Sequence, residues 1–294
     1  MAFLDRLGAE SGGSVSSDWL LRFQFEGTPF RLMASQQGIW KPRQLDAALS
    51  IRTVHARRPD LRPYDDAVGP DGRLRYKWRI DRDRAPDANH SDNRALRRAM
   101  ELQRPLIWFW GVAPAMYLPV YPVFLIAEEP ASHQFVVSLE ADEFDMWSSA
   151  DLALVPLQRR YAERSVRQRL HQPLFRERVL LAYGDLCALC RLHHRELLDA
   201  AHIVGDAEGG EPVVPNGISM CKIHHAAFDN QLFGVRPDYK VHVSASVLAE
   251  DDGPTLRHAL QEIHGTRLEL PRSRAARPDP DRLEERYEGF LAAS

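Results

Sequence analysis

The pattern of apolar and polar positions divides the chain into stretches of different character. The longest apolar stretch, Pro105 to Ala127, is interrupted by Gly111, Pro114, Pro119 and Pro122, so it predicts strands and not a membrane span. Aromatic-rich, strand-like segments lie at Phe23 to Phe25, Tyr76 to Arg79 and Leu106 to Gly111, and Gly38 to Pro42 reads as a turn. Leu157 to Tyr183 predicts helix. Leu197 to Val204 predicts a strand bearing one histidine, a turn rich in Gly, Pro and Glu runs from Gly205 to Pro215, and a second strand follows Asn216. Ser219 to Phe228 has helical character. After Asp251, Pro254, Pro271, Pro278 and Pro280 cut the tail into short pieces such as Leu256 to Ile263, which carry no chemical signal and are expected to wrap the preceding domain. The pattern predicts an α+β chain: a β-rich domain over 1–150, a helical connector over 151–180 and a third segment over 181–294.

With 294 residues, 44% hydrophobic and 27% charged, the chain can bury a full core and build two domains, which excludes disordered and collagen-like classes. Asp5 and Arg6 fall where a signal peptide needs an uninterrupted apolar run, so a soluble, cytoplasmic protein is expected. The net charge of −3 gives no overall attraction to nucleic acid, and any such binding must come from local patches. Of the 38 basic residues only Lys41, Lys77, Lys222 and Lys240 are lysines. Arginine suits bidentate phosphate and guanine contacts, although the skew is equally what a GC-rich gene produces. The predicted connector carries Arg159, Arg160, Arg164, Arg167, Arg169, Arg176 and Arg178 against Glu163 and Glu177. It either follows a phosphate backbone or is a solvated helix packed on its neighbour.

The three cysteines, Cys187, Cys190 and Cys221, fall within 35 residues. Cys187-Ala-Leu-Cys190 is one C-x2-C knuckle, and Cys221-Lys-Ile-His224 supplies a second pair at the same spacing, a four-ligand set for tetrahedral Zn2+. Three unligated buried cysteines are the competing reading, which two matched knuckles disfavour. A closed Cys3His site is structural. His225 adjoins His224 but points elsewhere, since neighbours on a helix diverge by about 100°.

His202, Asn216 and His225, framed by these four ligands and by the flanking AAHI and HHAAFDNQLFGV, resemble the HNH endonuclease (ββα-metal) motif. The resemblance implies that His202 is the general base toward the attacking water. It also implies that Asn216 fixes the loop that orients His202, and that His225 ligates a catalytic Mg2+ or Mn2+ that neutralises the scissile phosphate. One departure matters: many members carry Asp or His just before the first histidine as a second ligand, and this chain has Ala201. Asp199, on the same strand face as Ala201, is the preferred substitute. Asp229 and Asn230 are fallbacks whose commoner role is to cap or orient the helix end. His193 and His194, in the knuckle loop, are expected to face solvent.

The first 150 residues hold no nucleophile and base at diagnostic spacing and no Gly-rich phosphate loop, and most of their aromatics are expected in a core. Pro63-Tyr64-Asp65-Asp66, Gly72, Tyr76, Asn93 to Leu96, Pro105-Leu106 and Tyr117 to Tyr121 resemble an SRA domain, a twisted β-barrel of the PUA-like superfamily. That resemblance implies a flipped modified cytosine held between Tyr64 and Tyr76, with a carboxylate accepting from the cytosine amine. The family's tyrosine-to-aspartate spacing is one residue shorter here, which leaves Asp65 and Asp66 both open, Asp66 preferred. Arg52, Arg73 and Arg75 are candidate phosphate grips and Trp40 a candidate groove probe, against the commoner reading of such residues as surface or core.

The order of reader, basic connector and zinc-pinned nuclease resembles modification-dependent restriction endonucleases of the McrA type. This implies cleavage of double-stranded DNA carrying 5-methylcytosine or 5-hydroxymethylcytosine, and a homodimer to cut both strands. Two other readings stand beside it. One is a modification-independent HNH endonuclease; the other, motivated by Ala201, is a modified-DNA-binding protein without catalysis.

Overall fold

In the computed structural model, which describes residues 13–55, 68–81, 83–140, 155–205 and 208–293, the strands are β1 (Val15–Ser16), β2 (Gln24–Phe25), β3 (Thr28–Pro29), β4 (Ile39–Trp40), β5 (Ser50–Thr53), β6 (Leu74–Lys77), β7 (Leu106–Ala113), β8 (Met116–Glu129), β9 (Gln134–Ser138), β10 (Leu198–His202), β11 (Gly217–Cys221), β12 (Phe233–Val235) and β13 (Val241–Val243). The chain divides into two compact units, 1–173 and 174–294. No helix among the described residues is long and apolar enough to cross a membrane.

The first unit is built on a sheet of order β4-β5-β7-β8-β9-β6, with β1 also on β8. Among the described residues only β5 and β7 run parallel. The long apolar stretch becomes the β7–β8 hairpin. β8 pairs with β7 as far as Val123 and with β9 from Phe124 onward, and this change of partner curls the sheet. Pro119 and Pro122 fall where β8 has a described strand on one side only, so their missing N–H groups break no second ladder. The helix Ser91–Glu101 turns Leu96 and Ala99 inward, and its fully buried Asn93 donates to the carbonyls of Arg79 and Asp87. Ile39–Trp40 is a strand pairing with Ile51 and Ser50, and not a turn. Helix runs from Val155 to Val166, then through one wider turn, Arg167–His171.

The second unit contains two antiparallel pairs, β10–β11 and β12–β13, with the helix Lys222–Asp229 between them. The predicted ββα order is present, but its helix starts at Lys222 and not Ser219. Ser219, Met220 and Cys221 pair with Ala200, Asp199 and Leu198 and so belong to β11. One core gathers Val179, Leu198, Ala201, Ile218, Met220, Phe228 and Phe233. The tail lies on it: Leu256 and Leu260 pack against this core, and Leu283 of the helix Pro280–Ala293 is buried within it.

Candidate active site

The two knuckles converge. One donor atom each from Cys187, Cys190, Cys221 and His224 lies within 4.8 Å of all the others. The His224 Nδ1 is 3.4 Å from the Cys187 sulfur and 3.2 Å from that of Cys221, and the Cys190 and Cys221 sulfurs are 4.0 Å apart. A tetrahedral ion with bonds of about 2.1–2.3 Å spaces its ligands roughly 3.4–3.8 Å apart, so the four donors fit zinc. The far nitrogen of His224 donates to the carbonyl of Ala259 at 2.7 Å, which leaves Nδ1 as the ligand. The neighbouring Cys221 and His224 side chains hold the Cys187 thiol well below its usual range, while the same Cys187 contact and burial push Cys221 up. The tail, silent in the sequence, supplies the carbonyl that orients this ligand.

His202 ends β10, opposite Gly217. Its ring stacks on Phe175 with centroids 4.0 Å apart and planes 17° from parallel. A β-carbon on Gly217 would come within 2.6 Å of Val179 and 2.7 Å of Phe175, so glycine there is what lets Phe175 reach the imidazole. The loop that leaves His202 is tied by Asn216, whose side chain is fully buried. Its Oδ1 accepts from the Val204 N–H at 2.9 Å, and its amide donates to the carbonyls of Val204 and Glu211 at 3.0 Å each. Gly210 lies against the same carbonyl, where a β-carbon would stand 2.0 Å from the Val204 oxygen.

His225 lies between two carboxylates. Its Nδ1 is 3.8 Å from Asp199 and its Nε2 is 3.2 Å from Asp229. Asp199 also meets Arg176 at 3.4 Å and Lys222 at 3.8 Å, and the His225 ring beside it, helped by these cations, holds its carboxyl below the usual range. Asp229 meets Arg286 at 3.4 Å. Among the described residues the Cys/His quartet is the one group of three or more donors close enough to share an ion, since the two aspartates approach opposite nitrogens of the same ring. Asn230 caps the helix, its amide donating to the carbonyl of Ala226. Ala201 is fully buried, whereas His193 and His194 are exposed and stacked on each other.

The first unit corrects several expectations. Tyr76 is core: it is 3% exposed, its hydroxyl donates to the carbonyl of Gly38 at 3.0 Å, and its ring meets Trp108 edge-on. Arg75 is a buried ion-pair partner and not a phosphate grip, forked onto Glu129 at 2.8 and 3.2 Å with Asp71 at 3.0 Å. Arg73 is buried beside Asp71 in the same way. Arg52, half-buried, donates to the carbonyl of Ala34, and the Trp40 indole donates to that of Arg31. Tyr64, Asp65 and Asp66 lie outside the described residues. In the connector, Arg169 donates to the carbonyls of Tyr121 and Pro122, and Arg176 to those of Arg195 and Leu198. These two serve their own units' architecture.

Residues 187–236 match the family model described as HNH endonuclease. No curated protein matches the chain. Among solved structures, the modification-dependent TagI restriction endonuclease is similar at 16% identity over 86% of this chain and 85% of that one, with a TM-score of 0.31. The type IV phosphorothioation-dependent restriction endonuclease ScoMcrA is similar at 17% identity over 60% of this chain and 48% of that one, with a TM-score of 0.22. With its ββα order, its Cys3His cluster and His202, Asn216 and His225 around one hairpin and helix, the segment 187–236 fits the HNH endonuclease domain that its family match describes, and this domain supports a DNA endonuclease.

Proposed function

We propose that the chain is a restriction endonuclease that hydrolyses phosphodiester bonds of double-stranded DNA at the HNH site and is directed there by modified cytosine. The observation that carries the nuclease half is the pairing of His202, fixed by Phe175 and the Asn216 loop, with His225, set between two carboxylates. His202 takes the proton of the attacking water. Asn216 keeps the backbone after His202 in place. Mg2+ or Mn2+, when bound, neutralises the charge on the scissile phosphate and the leaving oxygen. For the second ligand the geometry favours Asp229 over Asp199. Asp199 is already matched by Arg176 and Lys222 and lies on the Nδ1 side of the ring, 3.8 Å away. Asp229 Oδ2 stands 3.2 Å from Nε2, close to the ~3 Å between adjacent ligands of an octahedral Mg2+.

The reading of 5-methylcytosine or 5-hydroxymethylcytosine by base flipping rests on the SRA-like motifs, with Tyr64 and either Asp66, preferred, or Asp65 as pocket candidates, and a homodimer would place two such sites for a double-strand cut. The burial of Tyr76, Arg73 and Arg75 favours a second reading, an HNH endonuclease indifferent to modification. Matched plasmids with and without 5-methylcytosine, incubated with purified protein and Mg2+ or Mn2+, separate the two. Selective cutting supports the modified-base reader, equal cutting supports the indifferent enzyme, and binding without cutting under any divalent metal would leave only the non-catalytic DNA-binding alternative.

A further inference from the structure

The tail contributes more to the site than a cover. Arg286, on the helix Pro280–Ala293, places its guanidinium carbon over the Phe228 ring, 4.0 Å from the ring centre, with its side chain 24% exposed. One Nη donates to the carbonyl of Ile203 at 3.2 Å, directly after His202. The other donates to the carbonyl of Phe228 at 3.0 Å and lies 3.4 Å from Asp229 Oδ1. A single planar group therefore joins the end of the strand that carries the general base to the end of the helix that carries His225. Its rigid fork suits three acceptors arranged this way, which a lysine's point charge cannot reproduce. By occupying Oδ1 it leaves Oδ2 of Asp229 turned toward His225 Nε2.

We propose that Arg286 is a positioning residue of the cleavage site: it orients the Asp229 carboxylate toward His225 and fixes the separation of His202 from His225. The proposal rests on the reading of His225 and Asp229 as the divalent-metal ligands. It predicts that Arg286 acts on metal affinity through Asp229, as outer partners of ligands do, with effects of about 10-fold or more.

The test uses the full chain and two readouts: Mn2+ binding without DNA, followed by the free-ion EPR signal, and nicking of supercoiled plasmid. Arg286→Ala and Arg286→Lys should each weaken Mn2+ binding about 10-fold and raise the metal concentration for half-maximal nicking to match, with the KM for DNA unchanged. Asp229→Asn should weaken binding comparably, and adding either Arg286 substitution to it should change Mn2+ affinity less than about 2-fold, because the two act as one unit. If Arg286→Ala does not fold, the Arg286→Lys cycle decides. Wild-type Mn2+ affinity in folded Arg286 variants, or full additivity with Asp229→Asn, overturns the proposal. Loss of all effect in Asp229→Asn and His225→Ala alike overturns instead the assignment of the metal ligands on which it rests.

Discussion

His224 and His225 are neighbours on one helix and opposites in setting. His224 is 1% exposed, its Nδ1 among three sulfurs and its other nitrogen sealed by a backbone carbonyl. His225 is a quarter exposed and sits between oxygen donors. Soft thiolates and a closed tetrahedron select zinc and leave no position for substrate, while an imidazole with carboxylate and open coordination suits Mg2+ or Mn2+ at a phosphate. The roughly 100° between adjacent side chains thus separates the face with the zinc quartet from the face proposed for the cleavage metal.

The sharpest way to break this contrast is to strike each face alone. Cys187→Ser should abolish zinc retention and unfold the second unit, since the binding free energy of such a site is largely folding free energy. Zinc analysis and near-UV circular dichroism check this, and a folded, zinc-free variant would mean the quartet is incidental. His202→Ala should lower the nicking rate by about 10²–10⁴-fold while zinc content and DNA binding stay as in the wild type. Retained cleavage would remove His202 as the base.

Smaller changes sharpen the comparison. Gly217→Ala inserts a methyl where Phe175 and Val179 already crowd, so it should cost about 1–3 kcal/mol in denaturant unfolding and also slow nicking, because Phe175 is displaced from His202. Unchanged activity would show that the stack does not hold the base. Asp199→Asn should slow nicking about 10-fold with zinc content unaltered. The Asp199 carboxyl is depressed in the fold, so its contribution is present above the unfolded pKa of about 3.9 and disappears as pH falls through the lower folded value. The variant's urea midpoint should accordingly depend less on pH below about 4 than the wild type's.

The same contrast explains what the sequence discloses. The zinc quartet is legible because its signal is local: two pairs at one spacing, and few residue types that could serve. The partners of His225 are not. Arg286 lies 57 positions from Asp229 in a helix that reads as ordinary surface, and Arg176 comes from the connector. The arginines of the first unit mislead for a related reason. Arg75 and Arg73 look like phosphate grips until Asp71 and Glu129 are brought beside them, and the pairing that buries them is a property of the curled sheet. Tyr76 likewise looks like a base platform until Trp108 and Gly38 close over it. The hairpin and its turn were readable to within a few residues, and only the start of the following helix moved, because the pairing of Ser219–Cys221 with β10 outweighs their local helical character.

The most direct test of the central claim, that one helix carries a structural zinc site on one face and the cleavage metal on the other, is to compare wild type with His225→Ala for bound zinc and for nicking of supercoiled plasmid in Mg2+ or Mn2+. The variant is predicted to keep one zinc per chain and its thermal midpoint while losing cleavage. Cleavage at the wild-type rate, or loss of zinc with His225, would contradict the division of the two faces.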